Sequence, residues 1–272
     1  MDGWNGQSGG LAGMGFTQNL NAVDDLRLTY TSATEITILA GSCNDSTNGI
    51  SLNSPVPLLV DITAAGAGGL DTGAVAANTM CYVWLIYNPT TNTYAGMFSL
   101  SDSAPTMPAG YTYMRRLGAG TVNNSTELYN FIMHGTGRER TVFYRADVDV
   151  NSAVVNSTAA WVAGVGLVVF IHTAAGDIAF GGVNSVINCS HLIPSFSRVG
   201  IFHTHCKGTY FHFAENGIAV RMVYIQTGAS TGYSTVDFEL QTDTTQNIWH
   251  ARVSTGGGTG CRMGIRGYRF TL

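Results

Sequence analysis

Between two polar turns, Leu70-Asp71-Thr72-Gly73 and Asn88-Pro89-Thr90-Thr91-Asn92, runs Met80-Cys81-Tyr82-Val83-Trp84-Leu85-Ile86-Tyr87, an apolar and aromatic stretch without a charge. A run that short, closed by turn formers and rich in aromatics, predicts a buried strand and not a helix. Its two alternating sets, Cys81/Val83/Leu85/Tyr87 and Met80/Tyr82/Trp84/Ile86, both lack the polar residues of a solvent-washed sheet face. Both faces therefore need cover, and partner chains of an oligomer are one source of it. Thr93 to Leu100 returns as a second strand, which makes the pair a hairpin. Pro105 and Pro108-Ala109-Gly110-Tyr111 then impose an extended loop before Arg115-Arg116-Leu117-Gly118.

The rest of the chain repeats the pattern of short strands and turns. Asp24 to Leu39 reads as half-exposed strands, Leu26, Leu28 and Tyr30 set against Arg27 and Thr29 and then the alternating Glu35 to Ile38, separated by Thr31 to Thr34. Asp45 and Asp61 lack the dense oxygen-ligand spacing of a calcium loop and read as turn and capping residues. Ala64-Ala65-Gly66-Ala67-Gly68-Gly69 has no Gly-Lys-Ser/Thr ending, so it predicts a turn or an interchain packing site, not a phosphate cradle. Leu128 to Met133 and Thr141 to Arg145 follow as strands, and the charged Arg138-Glu139-Arg140 between them reads as a solvated turn.

Beyond a boundary placed near residue 148, Val148 to Val150 and Ala153 to Val155 open the second half. Gly164, Gly166 and the β-branched residues of Ala159 to Ile171 favour strand over helix. Strand-like runs continue over Asp177 to Phe180, Val186 to Cys189, Val199 to His203, Thr209 to Phe213, Ile218 to Gln226, Ser234 to Gln241, Asn247 to Ser254 and Arg262 to Leu272. That spacing predicts a jelly-roll-like sandwich. The expected fold is thus all-β: residues 1–22 as an N-terminal attachment arm, 23–148 as a first β-rich module and 149–272 as the C-terminal sandwich. The arm is rich in Gly, Asn and Gln, and its isolated Trp4, Leu11, Met14 and Phe16 suit docking into another protein.

Composition narrows the function classes. Of the 272 residues only 11% are charged while 45% are hydrophobic, so a large core is affordable and the outside must be covered by Ser, Thr, Asn and Gly. A net charge of −4 argues against nucleic acid as a partner. No apolar run reaches membrane-spanning length, and no secretory signal opens the chain. The five cysteines include no Cys-x-x-Cys and read as small buried apolar side chains, with a disulfide left open.

Several pieces together carry a resemblance: Ala40-Gly41-Ser42, Asp45 and Asn48, Gly69 to Gly73, Ala77-Asn78-Thr79, Tyr82-Val83 with Ile86-Tyr87-Asn88, Pro108 to Thr112, and Arg115 to Gly118. In this succession the chain resembles a module of the tail-fibre and other virion fibre proteins of tailed bacteriophages and prophages, well over residues 28–150 and more loosely beyond. Thr244 to Ser254 and Gly267-Tyr268 resemble the terminal sandwich of phage fibre and appendage proteins. The resemblance implies a virion component, a homotrimer partnered by other virion proteins, that binds a surface such as a host glycan and transforms no substrate. A short tail or side fibre, a capsid head fibre or decoration protein, and a baseplate or tail-hub component all remain open. No long coiled or repeat shaft is encoded, which favours a compact fibre.

Chemistry-bearing residues are few. His203 and His205 share one face of a strand, so three chains around a threefold axis would present their imidazoles to one metal ion. This is the single candidate cofactor, weighed against a packing or loop role. Asp237 and Glu239 also share a face, but without a groove they read as an exposed row and not as a glycosidase pair. No Gly-x-Ser-x-Gly or His-Glu-x-x-His occurs, and the chain is expected not to be an enzyme. Tyr94, Tyr111, Tyr113, Trp161, Tyr210, Tyr233 and Trp249 are possible aromatic platforms for sugar, with core packing as the competing role.

Overall fold

The computed structural model describes residues 23–123, 125–145, 168–172, 186–207, 209–215, 222–226, 233–254 and 260–272. Among these residues every regular element is a β-strand, so the fold is all-β. The first half supplies β1 (Val23–Asp25), β2 (Leu28–Tyr30), β3 (Glu35–Ile38), β4 (Gly41–Asn44), β5 (Ser51–Ser54), β6 (Leu58–Asp61), β7 (Met80–Asn88), β8 (Thr93–Ser99), β9 (Tyr113–Thr121), β10 (Phe131–His134) and β11 (Glu139–Tyr144). The second supplies β12 (Val168–His172), β13 (Val186–Asn188), β14 (Val199–Lys207), β15 (Thr209–Ala214), β16 (Met222–Gln226), β17 (Tyr233–Gln241), β18 (Asn247–Ser254) and β19 (Gly260–Thr271).

The second half pairs as two rows, β12-β19-β14-β17 and β13-β18-β15-β16. Successive strands fall into the two rows in the double Greek-key order of a jelly roll, as the strand spacing predicts. Aromatic rings join the rows: Phe238 of β17 stacks on Phe202 of β14 at 5.4 Å and on Phe213 of β15 at 5.3 Å. The strand reading of the Ala159 to Ile171 stretch holds for the part within β12. Asp177 to Phe180, Val148 to Val155, Trp161 and the arm residues Trp4, Leu11, Met14 and Phe16 lie outside the described residues.

The first half is built on the same sheet. Beyond β19 the strands continue β11-β10-β2-β3-β6, with Thr141 opposite Arg269 and Phe143 opposite Gly267. Position 148 itself is outside the described residues, but β11 before it and β19 after it are hydrogen-bonded neighbours. Over this extension lies the three-stranded sheet β8-β7-β9, and β1-β4-β5 forms a small third sheet. The layers touch closely at Gly96 of β8, where any Cβ would come within 2.2 Å of Val60 and 2.7 Å of Ile38. One hydrophobic cluster runs through both halves, from Leu28, Ile36 and Val83 to Phe202, Ile248 and Tyr268. The Tyr268 hydroxyl donates to the Ala119 carbonyl at 3.0 Å, and the Tyr144 hydroxyl to the Leu192 carbonyl at 2.7 Å.

Three sequence expectations need correction. First, β7 does bury both faces, with Cys81, Val83 and Leu85 in the main core and Trp84 and Ile86 in a second cluster with Met97. The cover of that second face comes from the same chain, because Met107 and Tyr111 of the segment between β8 and β9 fold back over it. The strand thus gives no reason of its own to require partner chains. Second, Arg140 is no solvated turn residue: it is fully buried within β11, and its Nη2 donates to the Asp25 carbonyl at 2.5 Å. Third, Asp24 to Tyr30 is not one strand. Asp25 and Leu26 take left-handed φ values of 48° and 60°, which sends β1 and β2 into different sheets and turns the Asp25 carbonyl toward Arg140. A buried guanidinium needs such an acceptor, and that need outweighs the local strand pattern.

Turn chemistry follows expectation. The Asp45 carboxylate accepts from Thr47 N, Thr47 Oγ1, Gly49 N and Ile50 N at 2.6 to 3.2 Å. Asp61 likewise accepts from the amide and hydroxyl of Thr63. The Ala64 to Gly69 run is an intrachain turn that pairs with β8, where Gly68 N donates to Gly96 O at 2.8 Å and Phe98 N to Gly69 O at 2.7 Å.

Candidate functional site

Where the β8-β7-β9 sheet meets the jelly roll, the 100–112 segment and the 189–198 loop converge on the outer face of β7. Alternation along β7 turns Tyr82 and Trp84 to this face and leaves Val83 in the core. A register shift between Val83 and Trp84 marks a bulge in β9 and brings Arg116 opposite Trp84. Bulges of this kind re-aim side chains.

The polar centre is a relay of hydroxyls ending on a carboxylate. Ser195 Oγ donates to Asp102 Oδ2, so its only proton is committed and the Tyr82 hydroxyl, 3.2 Å away, donates to Ser195 in turn. The Ser195 bond holds the Asp102 carboxyl below its ordinary pKa, against the opposing effect of burial. Arg116 Nη1 donates to the Asp102 carbonyl at 2.5 Å, and its guanidinium lies 4.1 Å over the Phe196 ring. Asp71, from the turn before β7, accepts from Ser99 Oγ at 2.7 Å, Thr106 N at 2.8 Å and Thr72 N at 2.7 Å.

Two concavities share Asp102. The larger, an open cleft of about 570 Å³, is lined by Asp71, Tyr82, Ser101, Asp102, Thr106 and Ser195 among others. The smaller, about 290 Å³, lies between β9 and the end of β19 and is lined by Ser46, Trp84, Asp102, Ser103, Arg115 and Arg116 with the last residues of β19. Trp84 is only 3% exposed, and its indole N–H has no hydrogen-bond partner. A buried donor left unpaired costs about 1–3 kcal/mol. Burial also lowers the pKa of Arg116 from its usual value, with Asp102 opposing the shift.

The residues singled out from the sequence lie elsewhere. His203 is buried on the outer face of the jelly roll, with Nδ1 2.5 Å from Asp237 Oδ1. His205 occupies the same strand, opposite Thr235 and Arg262. Among the residues whose side chains are described, no group of three His, Cys, Asp or Glu is placed to hold a metal ion. Asp237 also faces Arg266 at 3.5 Å, and Glu239 pairs with Arg269 at 2.6 Å, which makes this row a set of cross-strand ion pairs. Tyr94 and Tyr113 pack on Tyr87 against the main core, and Tyr111 belongs to the second cluster.

The sequence reading missed Tyr82, Asp102 and Ser195 as a unit, since Ser195 is 113 residues from one and 93 from the other. Only the Arg115-Arg116 pair, unusual in so uncharged a chain, was a visible signal. No protein-family model matches this chain, and no curated protein matches it. Among the described residues no helix is long and apolar enough to cross a membrane.

Proposed function

We propose that this protein is a structural component of a tailed-bacteriophage virion, a short homotrimeric fibre that attaches through its N-terminal segment and binds host-surface glycan. The observation that carries the binding part is the open cleft at the junction of the jelly roll and the β8-β7-β9 sheet. Its walls offer two carboxylates, several hydroxyls and the Tyr82 phenol, the mixture of acceptors, donors and aromatic surface that a polyhydroxylated ligand takes. Asp102 is held ionised by Ser195, which suits it to accept hydrogen bonds from sugar hydroxyls. A glycosidase acid needs the opposite environment, one that raises the carboxyl pKa. The resemblance to virion fibres and the charge-poor all-β build support the particle assignment.

Binding to lipopolysaccharide and capsular polysaccharide purified from the host tests the adhesion reading. Asp71→Asn and Asp102→Asn should each weaken retention about tenfold, as expected for loss of a charge-assisted hydrogen bond. Retention unaffected by both substitutions would count against the cleft. Native mass measurement should return three chains, and a monomer would overturn the fibre assignment.

A further inference from the structure

We infer that the smaller pocket, between β9 and the end of β19, seats the carboxylate of an acidic sugar while the neutral remainder of the same glycan lies over the adjoining cleft. The inference rests on the glycan-binding reading above and narrows it to one chemical class. Arg115 and Arg116 both line the pocket, and among the described residues neither forms an ion pair with a carboxylate. Arg115 reaches only the Asp45 carbonyl, at 3.5 Å, so most of its planar fork of N–H donors is uncommitted. Arg116 commits one donor to the Asp102 carbonyl and turns its face to Phe196.

Trp84, only 3% exposed, also lines the pocket. Asp102 also lines the pocket, but Ser195 occupies one of its carboxylate oxygens, so among the lining side chains two guanidiniums stand against one carboxylate. Burial of Arg116 adds to this, because an anion beside a desolvated guanidinium offsets its lost hydration.

Size selects the ligand further. About 290 Å³ lies at the lower edge of small-molecule sites, room for one sugar ring and not for a chain. Asp102 belongs to both concavities, so a glycan with its acidic unit in the pocket continues directly over the hydroxyl-lined cleft. A neutral sugar in the pocket would leave the Arg115 fork without an anion.

Calorimetric titration of the full chain with matched pairs tests this, sialyllactose against lactose and tetragalacturonate against galactotetraose. At least one acidic member should bind about tenfold or more tightly than its neutral partner, the gain of one charge-assisted contact. Arg115→Gln, at a half-buried position, should narrow that gap severalfold. Equal binding within both pairs overturns the acidic pocket and leaves the cleft reading intact, whereas no binding of any sugar overturns both. Acetate or inorganic phosphate binding as tightly as the acidic sugars also overturns it, because the site would then recognise a bare anion.

Discussion

Both ring nitrogens of His191 are buried without a hydrogen-bond partner, and burial pulls its pKa from 6.5 down to about 4. The folded chain therefore holds this imidazole neutral over a range in which the unfolded chain protonates it. As pH falls from about 6.5 the unfolded state takes up the proton first, so stability is full above 6.5 and declines until the folded state titrates near 4. The loss approaches about 3 kcal/mol across that window. Asp25, Asp45, Asp102 and Asp243 all have lowered pKa values, so their losses begin only near and below the ordinary carboxyl value of 3.8. Urea denaturation at a series of pH values should show the decline between pH 6.5 and 4, and His191→Leu should flatten it. An unchanged slope in that variant would assign the window to another group.

At the scale of elements, β7 shows what the sequence made legible. Its apolar run, flanking turns and double burial could be read from residue types alone, and β18 begins and ends where its sequence pattern does. β11 was readable only in part, because Arg140 carries a charge that local reasoning sends to solvent. Its acceptor is the carbonyl of a residue 115 positions away, which no local pattern encodes. The same holds for the site: Asp71, Tyr82, Asp102, Arg116 and Ser195 come from separate strands and loops and acquire meaning only when packed together. Junctions between distant strands are also where glycine acts. At Gly267 of β19 a Cβ would fall 1.8 Å from the Val142 carbonyl oxygen on β11, a backbone atom that cannot swing aside. Gly267→Ala should therefore cost about 1–3 kcal/mol, the range for overpacking a close-packed site. A denaturation midpoint within error of the wild type would mean that β11 and β19 do not meet as described.

For the molecule as a unit, the question is whether the two halves fold together or apart. They share a sheet through β11 and β19, and the main core draws on both. Tyr268 is fully buried with its hydroxyl on Ala119, and Tyr144 reaches across to Leu192, so separating the halves strands polar groups as well as apolar surface. A jelly roll parted from the first half would leave one side of β19 with an open edge in place of β11, exposing an unpaired ladder that sheets normally protect. These couplings predict one cooperative transition for the full chain, with calorimetric and van't Hoff enthalpies in agreement. Two resolved transitions, one surviving in a chain cut near residue 148, would show that the shared sheet is only an apposition of independent units. A single transition would also mean that any ligand held by both halves stabilises the entire chain, since it is lost when either half unfolds.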